Sequence, residues 1–474
     1  MRRKAGIAVS ACAALVLAGA AGATAWQFAG DDESRPIGTW HEPDAPRTPV
    51  AAEQRMPGQA DSPADPQAPV LAPETDEVEA GREGAAAAQP SADPAAGVGE
   101  RVHESATATG AGRQRVGELL RVDKLLGYLS GAPKKETFRY PGASYVKLHF
   151  GRMAMLPGDY LTVSNADGTE KYRYDAPSTL NTGAIDKWAM SITGDTAVLE
   201  IHRGAADLLG LGSVLGRLGV DVDQVARGYS RSEQRKQPEK QLTAPGRTGK
   251  EESVCGSDTS ADAVCYRSAD PVAYTKSKAI ARLLINGTEL CTGWRVGTQN
   301  RMLTNNHCFN TSGEAYDTEV WFNYQCAKCG GYDVFRPTKV WGSQVLATDH
   351  VYDFTLFTVD NFALVKKFGY LTLDTARPVK NQQLYVPQHP AGEPTRIAGS
   401  LGEQAGNCSV TDPAYDGYAT NSDVAYYCDT EGGSSGSPVL SRKTDKVVAL
   451  HHFGGCPNSG VRGDLLAAKL RGKL

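Results

Sequence analysis

Several residue types are missing from long parts of this sequence. No cysteine lies between Cys12 and Cys255, and no aromatic residue lies between Trp40 and Tyr128. A stretch without aromatics that is rich in Ala, Pro, Gly, Glu and Asp cannot bury enough apolar surface to offset the entropy of ordering it. We therefore predict that residues 26–112 are a disordered spacer or pro-segment.

Blocks of like charge are also absent. The formal net charge of the 474 residues is −4, and no basic cluster marks a surface for nucleic acid or for an anionic membrane. The composition therefore gives no reason to expect nucleic acid as a partner.

The first residues have the pattern of an export signal. Positive charges at residues 2–4 precede a mostly apolar run over residues 5–22, and small residues at 23–25 offer a cleavage site. We interpret residues 1–25 as a signal peptide of a secreted protein. The alternative is an uncleaved membrane anchor, because the apolar run is just long enough to span a bilayer.

Cysteine usage agrees with export. Of the ten cysteines, all except Cys12 lie at or after Cys255. Such a cluster in an exported chain first indicates disulfides, and the odd number leaves at least one free thiol. Cys326-x-x-Cys329 has the spacing of a zinc half-site, but no second close pair accompanies it. We therefore expect no metal.

The rest of the chain divides by pattern. Apolar residues at helical spacing over 116–129 predict an amphipathic helix, and short strands with Gly/Asp turns over 136–204 predict a β-sandwich. Residues 113–228 then form a helix plus sandwich, residues 229–252 a polar linker, and residues 253–474 a strand-rich and cysteine-rich domain of a size normal for a double β-barrel.

Three segments of that last domain carry candidate chemistry. They are residues 303–308 with His307, residues 353–357 with Asp353, and residues 429–439 with Ser435. A serine hydroxyl needs a histidine base, and a buried carboxylate fixes the tautomer of that histidine. The order His, Asp, Ser is that of the chymotrypsin type. Glycines around Ser435 allow an oxyanion hole formed by the N–H groups of Gly433 and Ser435.

Other assignments deserve comparison with this one. Residues 432–436 also fit G-x-S-x-G with Ser434 as nucleophile, but too little chain follows for the acid and histidine of an α/β-hydrolase. Asp349 and Asp360 are alternatives to Asp353, although only Asp353 heads an apolar strand. His389 before a proline is typical of a turn.

These residues resemble the trypsin-like peptidases. Asn306-His307-Cys308 is similar to their histidine box, and residues 433–438 to their serine box. The resemblance is greater to a secreted bacterial branch of lysyl and glutamyl endopeptidases, which also has a stretch like residues 452–455. It covers residues 253–474 and implies a chymotrypsin-like double β-barrel that hydrolyses protein or peptide substrates without a cofactor.

The resemblance also implies a disulfide pattern. The expected bridges are Cys255–Cys456, Cys265–Cys329, Cys291–Cys308 and Cys408–Cys428, with Cys326 left as the free thiol. Ser434 stands where animal digestive enzymes carry an acid, so activation by insertion of a new N-terminus is not expected.

The resemblance leaves the primary specificity open between two residues. Asp429, six residues before Ser435, would favour a basic side chain, whereas His452 aligns with a histidine that holds an acidic side chain in glutamyl endopeptidases. We favour the basic alternative, because the carboxylate of Asp429 would give the primary pocket a negative charge.

Taken together, the sequence predicts an all-β protein: an N-terminal sandwich followed by the catalytic double barrel. We expect a secreted monomeric serine endopeptidase, made as a zymogen whose processing within residues 229–254, with Lys250 as a plausible site, releases the sandwich. The alternative function is a catalytically silent protease fold that serves as a binding or adhesion module.

Overall fold

The computed structural model describes residues 100–101, 112–127, 133–203, 218–238, 254–399 and 408–474. The predicted signal peptide, almost all of the predicted spacer, and residues 239–252 of the linker with Lys250 lie outside the described residues. Among the residues that the structure describes, no helix is long and apolar enough to cross a bilayer.

The predicted β-sandwich is present, and it is larger than the sequence suggested. One sheet has the order β1-β3-β11-β5-β8 with β9 paired to β5, and the facing sheet has the order β4-β10-β6-β7. The strands are β1 (Glu100–Arg101), β3 (Gly117–Gly127), β4 (Lys135–Arg139), β5 (Tyr145–Ala154), β6 (Tyr160–Ser164), β7 (Lys171–Asp175), β8 (Ala184–Trp188), β9 (Ile192–Thr193), β10 (Thr196–His202) and β11 (Gly219–Gly228). Alternating apolar residues of both sheets form its core, as in other sandwiches.

The helix predicted over residues 116–129 is wrong, because this stretch is strand β3. Leu120 and Leu126 are buried in the sandwich core, while Leu125 is half exposed. Strand β3 pairs with β11 along almost its whole length and with β1 on the other side. Tertiary pairing thus overrides the helical spacing of the leucines.

A closed six-stranded barrel begins the C-terminal module. Its strands run in the order β13-β16-β17-β18-β15-β14, and β14 pairs back to β13. They are β13 (Ile280–Ile285), β14 (Glu289–Arg295), β15 (Met302–Thr304), β16 (Thr318–Phe322), β17 (Thr338–Asp349) and β18 (Phe354–Val359). Strand β2 (Gln114–Arg115), from the sandwich side of the chain, adds to the outer edge of β14.

The second half of this module is an eight-stranded antiparallel sheet. Its order is β12-β20-β19-β23-β24-β25-β22-β21, and a bridge between Gln383 and Ser409 brings its two sides together. The strands are β12 (Ala261–Asp262), β19 (Leu384–Gln388), β20 (Arg396–Ala398), β21 (Val410–Tyr415), β22 (Asp423–Tyr426), β23 (Pro438–Ser441), β24 (Val447–Phe453) and β25 (Asn458–Arg462). The fold is therefore all-β, with the predicted sandwich and double barrel.

Helices are short and peripheral. The α-helices are α1 (Arg231–Gln234), α2 (Tyr266–Ala269), α3 (Pro271–Ser277), α4 (Ser312–Tyr316), α5 (Phe362–Val365) and α6 (Gly463–Lys469). Helix α1 lies in the predicted linker, and Ser230 caps it in a capping box with Glu233.

Buried charges join the sandwich to the first barrel. Glu319 of β16 is fully buried and lies 2.8 Å from the ammonium of Lys147 of β5, and the hydroxyl of Ser191 donates to it. From the barrel, Lys339 reaches Glu170 of the sandwich at 2.8 Å. Removing one partner of such a pair would leave an uncompensated buried charge, so the two modules are packed as one body.

Candidate active site

The pairing of β15 with β18 brings His307 to Asp353. Thr304 lies opposite Thr355, so the residues that follow β15 lie beside those that precede β18. The Nδ1 atom of His307 is 2.8 Å from one carboxylate oxygen of Asp353, and the backbone N–H of His307 donates to the other at 3.0 Å. One oxygen of Asp353 thus holds the imidazole in one orientation, with Nδ1 as the donor, and the other oxygen holds the backbone of the same residue.

The backbone at Asp353 is itself unusual. Asp353 has a φ of 39°, and its carbonyl accepts a hydrogen bond from the side chain of Asn305 at 2.8 Å. Asn305 lies two residues before His307 and thus supports the turn at Asp353.

The serine loop, residues 429–437, packs against the histidine loop, residues 305–311, which follows β15. Strand β14 lies beneath it, where the N–H of Thr292 donates to the carbonyl of Ser435 at 2.9 Å. The Sγ atom of Cys308 lies 3.9 Å from the same carbonyl. The Nε2 atom of His307 is buried and has no hydrogen-bond partner among the described residues. That nitrogen is therefore free to act as a base.

Two glycines shape the serine loop. Gly433 has a φ of 94° and Gly436 a φ of 88°, both in the region that disfavours a side chain. A Cβ on Gly436 would lie 2.1 Å from the carbonyl oxygen of Thr292. Gly432, by contrast, does not have a positive φ; a Cβ there would meet the side chain of Gln114 at 2.1 Å.

Ser434 occupies a different environment from Ser435. Its side chain is fully buried, and its hydroxyl oxygen accepts a hydrogen bond from the N–H of Glu431 at 3.1 Å. This contact closes the turn of the loop, so Ser434 is poorly placed as a nucleophile. This environment disfavours the assignment of Ser434 as the nucleophile of a G-x-S-x-G motif.

Asp353 also contacts a second histidine. The Nδ1 atom of His452 on β24 is 3.1 Å from the Asp353 oxygen that faces His307, and its Nε2 atom is 2.6 Å from Asp423. Burial alone would lower the pKa of His452, but Asp423 and Asp353 raise it to about 9. Burial likewise opposes ionisation of Asp353, but His307 and His452 outweigh it and hold its pKa well below the usual value.

His452 is therefore a buried imidazolium between two carboxylates. Both of its ring nitrogens contact carboxylates of the protein, and its role in substrate binding stays a prediction. The sequence did not predict a role for Asp423. It is the first residue of β22, and β22 and His452's strand β24 both pair with β25, so only the sheet order shows that Asp423 and His452 lie close together.

Asp429 is also engaged by the protein. One of its carboxylate oxygens accepts hydrogen bonds from the N–H and the hydroxyl of Thr259, at 2.8 and 2.6 Å. The side chain of Gln388 donates to its carbonyl. The first residues of the C-terminal module thus pack against the residue expected at the base of the primary pocket.

The alternative residues lie in structural roles. Asp349 pairs with Lys469 at 3.1 Å, and Asp360 accepts a hydrogen bond from the N–H of Trp341. His389 is buried beside the carbonyl of Glu393, and burial lowers its pKa to about 3. Such a histidine stays neutral, as expected of a turn residue.

The structure joins the four cysteine pairs that the resemblance implied, and among the described cysteines Cys326 is the free, buried thiol. Burial raises the pKa of this thiol. Ligand-type atoms of Cys291, His307 and Cys308 lie within 4.8 Å of one another, but these two sulfurs are bonded together and offer no thiolate to a metal.

Comparison with known proteins adds a family. Residues 291–450 match the family model described as a trypsin-like peptidase domain. This part of the chain is therefore similar to the trypsin-like peptidase domain. It contains all three candidate catalytic residues.

One curated relative of the chain is a secreted RxLR effector protein of Plasmopara viticola. It is 42% identical over 221 residues, which are 45% of this chain and 54% of the relative. The chain thus spans about half the length of that relative.

Solved structures of peptidases are also similar to the chain. A Glu endopeptidase is 21% identical with a TM-score of 0.34, and the match covers 46% of this chain and 98% of that one. An HtrA-type protease with a tripeptide is 10% identical with a TM-score of 0.32, over 42% of this chain and 61% of that one. The fold is shown by the sheet order and the family model together.

Proposed function

We propose that the chain is a serine endopeptidase with His307, Asp353 and Ser435 as its catalytic triad. The observation that carries the proposal is the imidazole of His307. Both carboxylate oxygens of Asp353 hold the His307 residue, and its Nε2 has no hydrogen-bond partner among the described residues. The adjacent Cys308 contacts the carbonyl of Ser435, which brings the two loops together. A carboxylate that fixes the tautomer leaves this Nε2 as the base.

The reaction is acyl transfer to water. The hydroxyl of Ser435 attacks the peptide carbonyl while His307 takes its proton, and the N–H groups of Gly433 and Ser435 stabilise the oxyanion. His307 then gives the proton to the leaving amine, and water releases the acyl group by the reverse sequence. The φ of 94° at Gly433 supports this assignment, because a residue with a side chain rarely adopts it and the loop there needs a glycine.

A serine-directed fluorophosphonate and casein hydrolysis test the proposal. We expect the probe to label Ser435 and to abolish hydrolysis, and we expect neither labelling nor hydrolysis in Ser435→Ala. A correctly folded wild-type chain that is not labelled and does not cleave casein would instead favour the catalytically silent binding module.

For primary specificity we propose a basic side chain, recognised by Asp429. An acidic side chain directed at His452 would have to displace Asp353 or Asp423 from a buried imidazolium. Asp429, by contrast, places a carboxylate at the start of the serine loop, and Thr259 bonds only one of its two oxygens. A peptide-library digest tests this. Cleavage after Lys or Arg that is lost in Asp429→Ser would support it, and cleavage after Glu that is lost in His452→Ala would refute it.

We also propose export followed by processing. The charged start, the apolar run and the small residues at 23–25 support a signal peptide, and the curated relative is named a secreted protein. Mass spectrometry of the protein from culture medium would give its mature N-terminus. A chain that starts at residue 1 would contradict this proposal.

A further inference from the structure

A short segment of the chain crosses from the sandwich into the cleft of the peptidase domain. Residues 112–116, the crossing segment, contain β2, which pairs antiparallel with β14: Gln114 lies opposite Leu290, and Arg115 opposite Glu289. The N–H of Val116 donates to the carbonyl of Thr288 at 2.8 Å. The segment therefore binds as an added edge strand, which is a common way for a protein to hold a peptide.

The crossing segment touches both loops that carry the candidate catalytic residues. The guanidinium of Arg113 donates to the carbonyl of His307 at 3.4 Å. The side chain of Gln114 lies against Gly432, three residues before Ser435. A peptide bound here lies beside the histidine loop. The leaving amine receives its proton from the catalytic histidine, so this is the side of the cleft that holds the leaving part of a substrate.

The side chain of Arg113 is held by two acids of the peptidase domain. Its guanidinium lies 3.1 Å from Glu289 of β14 and 2.6 Å from Glu314 of α4. Arg113 and Glu289 are each less than one-tenth exposed, so this is not a surface ion pair. A guanidinium is well suited to such a fork of carboxylates.

Glu314 is oriented for this task by its own helix. One carboxylate oxygen accepts hydrogen bonds from the N–H of Asn310 and the hydroxyl of Thr311, which leaves the other oxygen directed at Arg113. Two carboxylates this close would repel each other if no cation lay between them. The acid pair therefore forms a receptor for a cation, and the cation comes from a part of the chain outside the peptidase domain.

We infer that Glu289 and Glu314 form a subsite for an arginine or lysine side chain on the leaving-group side of the cleft. In the intact chain Arg113 fills this subsite in the manner of a bound product, and a substrate must displace it. The inference rests on the proposed peptidase function and adds a second position at which substrates are selected.

The experiment uses the full chain with Arg113→Gln, which empties the subsite. Arg115→Gln is the matched control, since Arg115 lies two residues further along the crossing segment and its guanidinium donates to the carbonyl of Gly117. We expect Arg113→Gln to raise kcat/KM on short peptides roughly tenfold through a lower KM, and Arg115→Gln to change it much less. If Arg113→Gln does not fold, Arg113→Met, which keeps the aliphatic stem, takes its place.

Selectivity is then measured with internally quenched peptides that carry Arg, Lys, Gln or Glu at each position after the scissile bond. In Arg113→Gln, one position should favour Arg and Lys over Gln by roughly tenfold or more. Adding Glu314→Gln should remove that preference, whereas adding Glu200→Gln, a sandwich surface change, should not. A preference that survives Glu314→Gln, or no preference at any position, would overturn the inference.

A binding measurement separates this inference from the proposed function. The probe is a fluorescent Gly-Arg-Gln-Arg peptide, compared with Gly-Gln-Gln-Arg, on a chain that carries both Arg113→Gln and Ser435→Ala. We expect tighter binding of the first peptide, and equal binding would refute the subsite. Because this chain lacks the nucleophile, the result does not depend on catalysis, which fluorophosphonate labelling of Ser435 tests in the parent.

Discussion

At the scale of single residues, one carboxylate oxygen of Asp353 serves two histidines. His452 is protonated at neutral pH, so Asp423, His452 and Asp353 together carry one negative charge rather than two. That remaining charge faces His307, where the proposed mechanism forms an imidazolium during proton transfer. The second histidine thus positions Asp353 and also moderates its charge.

The proposed nucleophile is the first residue to test. Ser435→Ala should lower kcat by about 10⁴–10⁶ without changing the thermal midpoint much, because triad members act as a unit. Ser434→Ala is the control and should be far milder in kcat, since the Ser434 hydroxyl only accepts a bond from the Glu431 N–H. If Ser434→Ala abolished hydrolysis and Ser435→Ala did not, the triad assignment would be wrong.

The charge on His452 predicts a dependence of stability on pH. Its pKa in the folded protein is about 9, above the value of about 6.5 in an unfolded chain. Its contribution to the free energy of unfolding is therefore complete below pH 6.5 and is lost as the pH rises through 9. We expect a loss on the order of 2 kcal/mol between these limits, measured by urea unfolding.

In His452→Gln this alkaline loss should disappear, and the variant should already be less stable at pH 6.5. His202→Gln, in the sandwich, should keep the alkaline loss of the wild type. An unchanged pH profile in His452→Gln would show that the imidazole is not charged in the folded state.

At the scale of elements, the serine loop depends on its glycines. Gly436→Ala would place a Cβ against the Thr292 carbonyl at a positive φ. We expect a loss of roughly 2–4 kcal/mol in stability, with a large fall in kcat as the loop shifts. Gly472→Ala is the control because its φ of 78° is similar and nothing lies within 4 Å of the added Cβ. It should cost only about 1 kcal/mol, and equal losses in both variants would mean that backbone strain alone matters.

Individual elements and residues also show how much of the structure could be predicted from the sequence. Catalysis by serine needs a base and an acid, and the order His, Asp, Ser is that of one fold type, so His307, Asp353 and Ser435 could be proposed from the sequence alone. Strand β3 was missed because leucines at helical spacing suit a helix as well as a paired strand, and only pairing with β11 decides between them. Asp423 was missed because its partner His452 is distant in sequence and no local pattern links them.

At the scale of the whole molecule, the sandwich and the first barrel share a core. Trp341 of β17 packs among the core residues of the sandwich, and Val116, Tyr145 and Leu290 form part of a cluster that spans both modules. The sequence suggested that cleavage in the linker would release the sandwich. An interface with buried ion pairs changes that expectation.

We predict that the two parts stay together after cleavage. A site for an added protease, placed within residues 239–253, should yield fragments that co-elute on size exclusion. Lys147→Met should separate them or lower their unfolding midpoint, since the loss of one partner of a buried pair costs about 3–5 kcal/mol. Lys135→Met removes only an exposed contact with Glu200 and should have little effect. Separation of the unmodified fragments in native buffer would contradict the prediction.

The position of β2 has a consequence for the order in which the chain matures. The last sandwich strand ends at Gly228, whereas the first barrel strand begins at Ile280, so synthesis completes the sandwich first. Strand β2, next to the folded sandwich, is then available to pair with β14, the strand beneath the serine loop, as the barrel forms. During refolding we expect pulse-labelled amides of β3, β5 and β11 to gain protection before those of β13 to β18. Protection in the reverse order would show that the barrel forms before the sandwich and does not need a folded sandwich beside β2.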